Sequence, residues 1–167
     1  NRNPLAKINT VFVNNVLYNC SAGYTTHTST NFKHDILNNY FIFGPASTGT
    51  DNTWYQVDMN QSIYYSGNLK DNTLNGQLDG ADTTPYWYQG PGTILTEAWS
   101  TATRASTVHT TPSAYRVAVS LAGTLPRDPI DGIAPVVSVH PLKTHAQAGP
   151  DYTAPSDPDF AADLKVS

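Results

Sequence analysis

The stretch VFVNNVLYN (Val11 to Asn19) is answered 24 residues later by DILNNYFIF (Asp35 to Phe43). Val13, Asn14, Asn15 and Val16 fall on Leu37, Asn38, Asn39 and Tyr40. A fainter third copy is YYSGNLKD (Tyr64 to Asp71), in which Tyr65, Asn68 and Leu69 follow Ile36, Asn39 and Tyr40 after 29 residues. Two short β-prone runs could form a hairpin, but the linker SAGYTTHTSTNFKH is long for a hairpin loop. Repetition in equal phase fits a right-handed parallel β-helix, all-β, with one coil per repeat and about three coils. Asn suits the bends because it tolerates the left-handed backbone conformation. Stacked Asn amides can also bond from coil to coil. The period alone leaves open whether Asn14 or Asn15 faces inward; we assign Asn15, Asn39 and Asn68 as the structural column.

Composition agrees with strands and turns. Charged residues make up only 13% of the 167, against about a quarter in an average soluble protein. Asn, Thr, Ser and Tyr take their place, which favours strands over solvated helices. A net charge of −4 and a pI near 5.6 lack the basic face that nucleic-acid binding needs. No apolar run reaches the ~18 residues of a membrane span, so neither nucleic acid nor membrane is expected as a partner. Cys20 is the single cysteine, so no disulfide can close within the chain. The sequons at Asn19 and Asn60 are glycosylation candidates for a secreted protein.

Beyond the coils the chain is less regular. We divide it into coils over 1–70, an irregular segment with a helix over 71–135, and an extended C-terminal tail over 136–167. GPASTGTDNTW (Gly44 to Trp54) reads as a loop between coils. Asp71, Asp79 and Asp82 raise the question of calcium, but an EF-hand loop wants alternating Asp and Asn with a closing Glu. We therefore assign no metal ligand within this chain. Tyr86, Trp87 and Tyr88 could stack on sugars and are expected instead to pack on the scaffold. Ser113 is expected to cap a helix over AYRVAVSLAG that ends at Gly123. Arg127, Asp128 and Asp131 form a charged turn read as an anchor, and His140 and His145 lack a third partner for zinc.

Three features together resemble the pectate lyase family of parallel β-helix polysaccharide lyases, which also contains the pectin lyases. Arg2-x-Pro4-x-x-Lys7 directly precedes the first coil and is similar to that family's Arg-x-Pro-x-x-Arg/Lys active-site strand. The succession NNVLYN then ILNNYFIFGP is the second feature, and the late helix followed by Leu125-Pro126-Arg127-Asp128 and Asp131 is the third. The resemblance covers residues 1 to about 135.

It implies β-elimination on an acidic polysaccharide, with Arg2 as the catalytic base at C5 of a galacturonate and Lys7 pairing with a substrate carboxylate. A guanidinium is a base only where neighbouring cations and burial favour its neutral form. Lysine shifts its pKa more readily, so Lys7 as the base stays open. Pro4 would fix the backbone between the two. Lys7 stands where many pectate lyases carry a second arginine, which leaves open a calcium-independent pectin lyase acting on methyl-esterified chains. The implied cofactor is Ca2+, held by acidic residues upstream of the Arg-x-Pro strand. The chain is therefore expected to be the C-terminal part of a longer secreted protein, with the N-terminal portion as its partner. Cys20 could pair with a cysteine there. A glycoside hydrolase would need a carboxylate pair that the coil strands lack. A non-catalytic glycan-binding, adhesive or structural β-helix remains the third reading.

Overall fold

The computed structural model describes residues 3–47, 54–105 and 108–121. Arg2, the charged turn at Arg127, Asp128 and Asp131, both tail histidines and most of the loop after Gly44 lie outside the described residues.

The repeats of the sequence become three short strands per traverse of the chain. The first traverse gives β1 (Thr10–Val13), β2 (Val16–Tyr18) and β3 (Tyr24–Thr26). The second gives β4 (Lys33–Leu37), β5 (Tyr40–Ile42) and β6 (Tyr55–Val57), and the third opens with β7 (Ser62–Ser66) and β8 (Leu69–Asp71). Each strand pairs in parallel with its equivalent one traverse away, so three sheets arise: β1-β4-β7-β11, β2-β5-β8-β9 and β3-β6-β10. β10 (Tyr86–Trp87) and β11 (Thr93–Ile94) continue two of them in parallel. β9 (Ala81–Asp82) folds back antiparallel on β8. Turn-rich sequence in 71–92 thus still contributes strands, two residues long each, because the preceding traverse offers unpaired backbone to bond.

The register is the one the periodicity implies. Val13 pairs with Leu37 and Val16 with Tyr40. Ile36 pairs with Tyr65 and Tyr40 with Leu69. Side chains alternate across each strand, and the inward set closes one core of Leu17, Tyr24, Ile36, Phe41, Trp54, Tyr55, Val57 and Ile63. Aromatic rings fill its centre: Phe41 stacks on Tyr55 at 5.7 Å, and Phe43 tilts against Trp54 at 4.4 Å.

Two helices lie outside the sheets, α1 (Thr101–Ala105) and α2 (Thr111–Leu121). α2 starts two residues before Ser113. Thr110 precedes it and takes the cap, its carbonyl accepting the Ala114 N–H at 2.8 Å while its hydroxyl meets Ser113. Pro112 then sits in the first turn, where no N–H is needed. The Tyr115 ring of α2 meets Tyr40 edge-on at 5.8 Å and covers the outer face of β5.

Candidate functional site

Between the first and second strands of each traverse the chain turns a corner on two residues. At the first of them the backbone is left-handed: φ is 57° at Asn14, 50° at Asn38 and 63° at Gly67. That twist turns the second residue, Asn15, Asn39 or Asn68, toward the interior. The Asn15 amide donates to Asn39 Oδ1 at 3.0 Å, and the Asn39 amide donates to Asn68 Oδ1 at 2.9 Å. Each acceptor also takes a backbone N–H, from Asn15 at 2.9 Å and Asn39 at 3.1 Å. Asn68 ends the column by donating to Ile36 O and to the Tyr55 hydroxyl. The outer residues of the corner bind a different partner. Asn14 and Asn38 amides both donate to His109 O, at 2.9 and 2.8 Å, and Thr111 bonds Gly67 O. The corner therefore both stacks the traverses and holds the lead-in to α2.

The segment that carries Pro4 and Lys7 precedes β1 and belongs to another sheet. Asn3 N donates to Gly23 O, Thr25 N to Pro4 O and Ala6 N to Thr25 O, so residues 3–6 run parallel beside β3. Ala6 is buried in the core, whereas Pro4, Leu5 and Lys7 are exposed. The next turn is tied down through Asn9, whose Oδ1 accepts the Lys33 N–H at 2.9 Å. Lys7 thus projects from an anchored backbone at the outer edge of the β3 sheet. Arg2 falls outside the described residues, so the two cations of the motif are not brought together here.

The remaining sequence candidates are placed as follows. Asn19 has φ of 58° and its Oδ1 accepts the Ala46 N–H at 2.7 Å. The Asn60 amide nitrogen, where a glycan would attach, donates to Thr28 O and Thr30 O. Cys20 is free and half-buried, its thiol near the Asn3 amide and Tyr18 O. Trp87 packs against the core, while Tyr86 and Tyr88 stay exposed and Tyr88 meets the His27 ring edge-on at 5.1 Å.

Two features are absent from a reading of motifs. A cleft of about 450 Å³ lies outside β4 and β7 against α1, lined among others by Asn38, Tyr64, Glu97 and Arg104. Arg104 donates to Ala98 O and lies 3.7 Å from Glu97. A guanidinium and a phenol in one cleft offer hydrogen bonds to an anionic or hydroxylated ligand. The second feature is internal. Buried His34 meets the Tyr24 hydroxyl at 2.5 Å through Nδ1 and Gln61 Oε1 at 2.9 Å through Nε2. Gln61 Oε1 can only accept, so Nε2 carries the proton and Nδ1 accepts from Tyr24. Neither feature has a sequence signature, because each gathers residues from different traverses.

Among the described residues no three His, Cys, Asp or Glu side chains converge as a metal site, and no helix is long and apolar enough to cross a membrane.

No protein-family profile and no solved structure matches this chain. Among curated proteins it is similar to one from Aspergillus flavus described as "Probable pectate lyase C", with 37% identity over 94 residues. The matched stretch is 51% of this chain but only 22% of that protein's length.

Proposed function

We propose that the chain is the C-terminal coil region of a secreted, right-handed parallel β-helix polysaccharide lyase that cleaves polygalacturonate-like chains by β-elimination. The similarity to the Aspergillus flavus pectate lyase carries this reading. The cyclic order of strands through three parallel sheets supports the architecture. In the reaction Arg2 takes the proton from C5, the released electron pair forms the C4–C5 double bond, and the C4–O bond breaks to an oxygen that is then protonated. Exposed Lys7, on its anchored backbone, pairs with the uronate carboxylate. The catalytic Ca2+ that the resemblance implies is assigned to acidic residues of an N-terminal portion, and no step here runs through it.

The full-length protein, assayed on polygalacturonate, should release unsaturated uronide. Arg2→Ala should lower kcat by about 10²–10⁴-fold, the usual loss of a general base, while Lys7→Ala should chiefly raise KM. Lys7 in place of arginine favours one variant: product from methyl-esterified pectin alone, insensitive to chelator, would identify a pectin lyase. No unsaturated product from either polymer removes the enzymatic reading and leaves a non-catalytic glycan-binding or structural β-helix.

A further inference from the structure

The hairpin that joins β8 to β9 folds back over its own first residue. Asp71 ends β8 on the outer face and is 3% exposed. Its Oδ1 accepts from Thr73, through the backbone N–H at 3.2 Å and the hydroxyl at 3.0 Å. Its Oδ2 is buried and, among the described residues, has no hydrogen-bond partner. A buried carboxylate oxygen left bare is unfavourable, because it has given up its hydration with no hydrogen bond in return.

The oxygens around it are short of protons. The Thr73 hydroxyl lies 3.0 Å from Asp71 Oδ1 and 3.1 Å from Asp79 Oδ1, yet it has one proton to give. The Asn75 amide nitrogen donates to the other Asp79 oxygen at 2.8 Å, while its own oxygen accepts the Gln77 N–H at 2.8 Å. Two carboxylates, a hydroxyl and an amide are thus gathered over nine residues, DNTLNGQLD (Asp71 to Asp79), with side-chain oxygens at alternate positions. Gly76, at φ of 78°, allows the tight bend between them. The Tyr40 hydroxyl accepts the Gly80 N–H at 2.9 Å, which sets its ring beside the hairpin.

We propose that this hairpin binds a divalent cation of calcium type, with Asp71 and Asp79 as the charged ligands and the Thr73 hydroxyl supplying a neutral oxygen. Hard oxygen donors in an irregular arrangement suit Ca2+ better than Mg2+, which demands near-ideal octahedral geometry. The bare Asp71 oxygen is what the ion satisfies. Absence of a closing Glu, which argued against calcium at the level of the motif, lowers affinity without removing the donors. The site is separate from the Arg2–Lys7 segment, and it stands or falls independently of the lyase reading.

The chelator-stripped chain is titrated with CaCl2 by calorimetry and with Tb3+ by tyrosine-sensitised luminescence, Tyr40 being the antenna. We expect one ion per chain, a Kd on the order of 10⁻⁴–10⁻³ M as in extracellular modules, and a higher Tm with calcium. Asp79 is exposed, so Asp79→Asn tests the ligand with the strands intact and should weaken binding at least ~10-fold by removing one charged ligand. Asp71→Asn should weaken it at least as much; if circular dichroism shows that variant unfolded, Asp79→Asn alone decides. No heat and no sensitised emission at millimolar ion, or binding unchanged in Asp79→Asn, overturns the proposal.

Discussion

At the scale of single residues, the corner between first and second strands carries the heaviest constraint. Asn39 is fully buried and uses both ends of its amide: Oδ1 accepts from Asn15 twice, and Nδ2 donates to Phe12 O and Asn68 Oδ1. Asn39→Ala strips the Asn15 backbone N–H, Phe12 O and Asn68 Oδ1 of the bonds Asn39 makes to them, and leaves the Asn15 amide only its bond to Val13 O. The expected loss is about 3 kcal/mol or more, since each stranded group costs roughly 1–3 kcal/mol, and a urea titration reads it directly. Asn39→Asp keeps the shape but replaces a donor by an acceptor facing two oxygens, and should be no milder. One position earlier in the next traverse, Gly67 cannot take a side chain. Its φ is 63°, and an added Cβ would fall 2.0 Å from Asn38 Oδ1. Gly67→Ala should lower Tm although it adds only a methyl, because both strain and clash must be relieved.

At the scale of elements, the outer helices are held by polar anchors rather than by apolar faces alone. Asp35 is fully buried on β4, and its two carboxylate oxygens accept the N–H groups of Trp99 at 2.9 Å and Ser100 at 3.1 Å, immediately before α1. Charge-assisted bonds to backbone N–H are about twice as strong as neutral ones. Asp35→Ala should therefore release residues 96–105 locally, raising amide exchange there while β5 and β6 keep their protection. Uniform loss of protection across the sheets would show that Asp35 supports the core instead. This anchor was not legible in the sequence, where Asp35 reads as the polar edge of an apolar run and its partners lie 64 residues away. The strands were legible for the opposite reason. Their pairing repeats in phase, so Val13 over Leu37 and Ile36 over Tyr65 can be read from spacing alone. The left-handed positions were half legible: Asn-Asn announces a bend, but which Asn turns inward depends on φ at the first of the pair. Helix α2 was found, with its start displaced because Thr110 and Pro112 form a better first turn than Ser113. The burial of Asp71 was not legible either, because motif spacing says nothing of which carboxylate the fold covers.

At the scale of the whole molecule, acid sensitivity follows from a histidine in the core. His34 lies between Tyr24 and Gln61 with no exposed surface, and burial lowers its pKa, opposed by the Gln61 bond and the nearby Asp35 charge. In the unfolded chain the same imidazole titrates at its ordinary value, near 6.5. Between the depressed folded value and that point the unfolded state binds more protons, so stability rises with pH. The contribution is complete above about 6.5 and is lost as pH falls toward the folded value, by at most ~1.4 kcal/mol per pH unit. Protonation would also put an N–H on Nδ1, facing the Tyr24 hydroxyl that donates to it now; the ring would then need that hydroxyl to turn. Chemical denaturation of the chain from pH 8 to 5 should show a falling midpoint below about 6.5. His34→Gln should be less stable at pH 8, through a poorer fit between Tyr24 and Gln61, yet flatter with pH across that window. A slope that survives His34→Gln unchanged would place the acid-sensitive group elsewhere and leave the Tyr24–His34–Gln61 chain as packing alone.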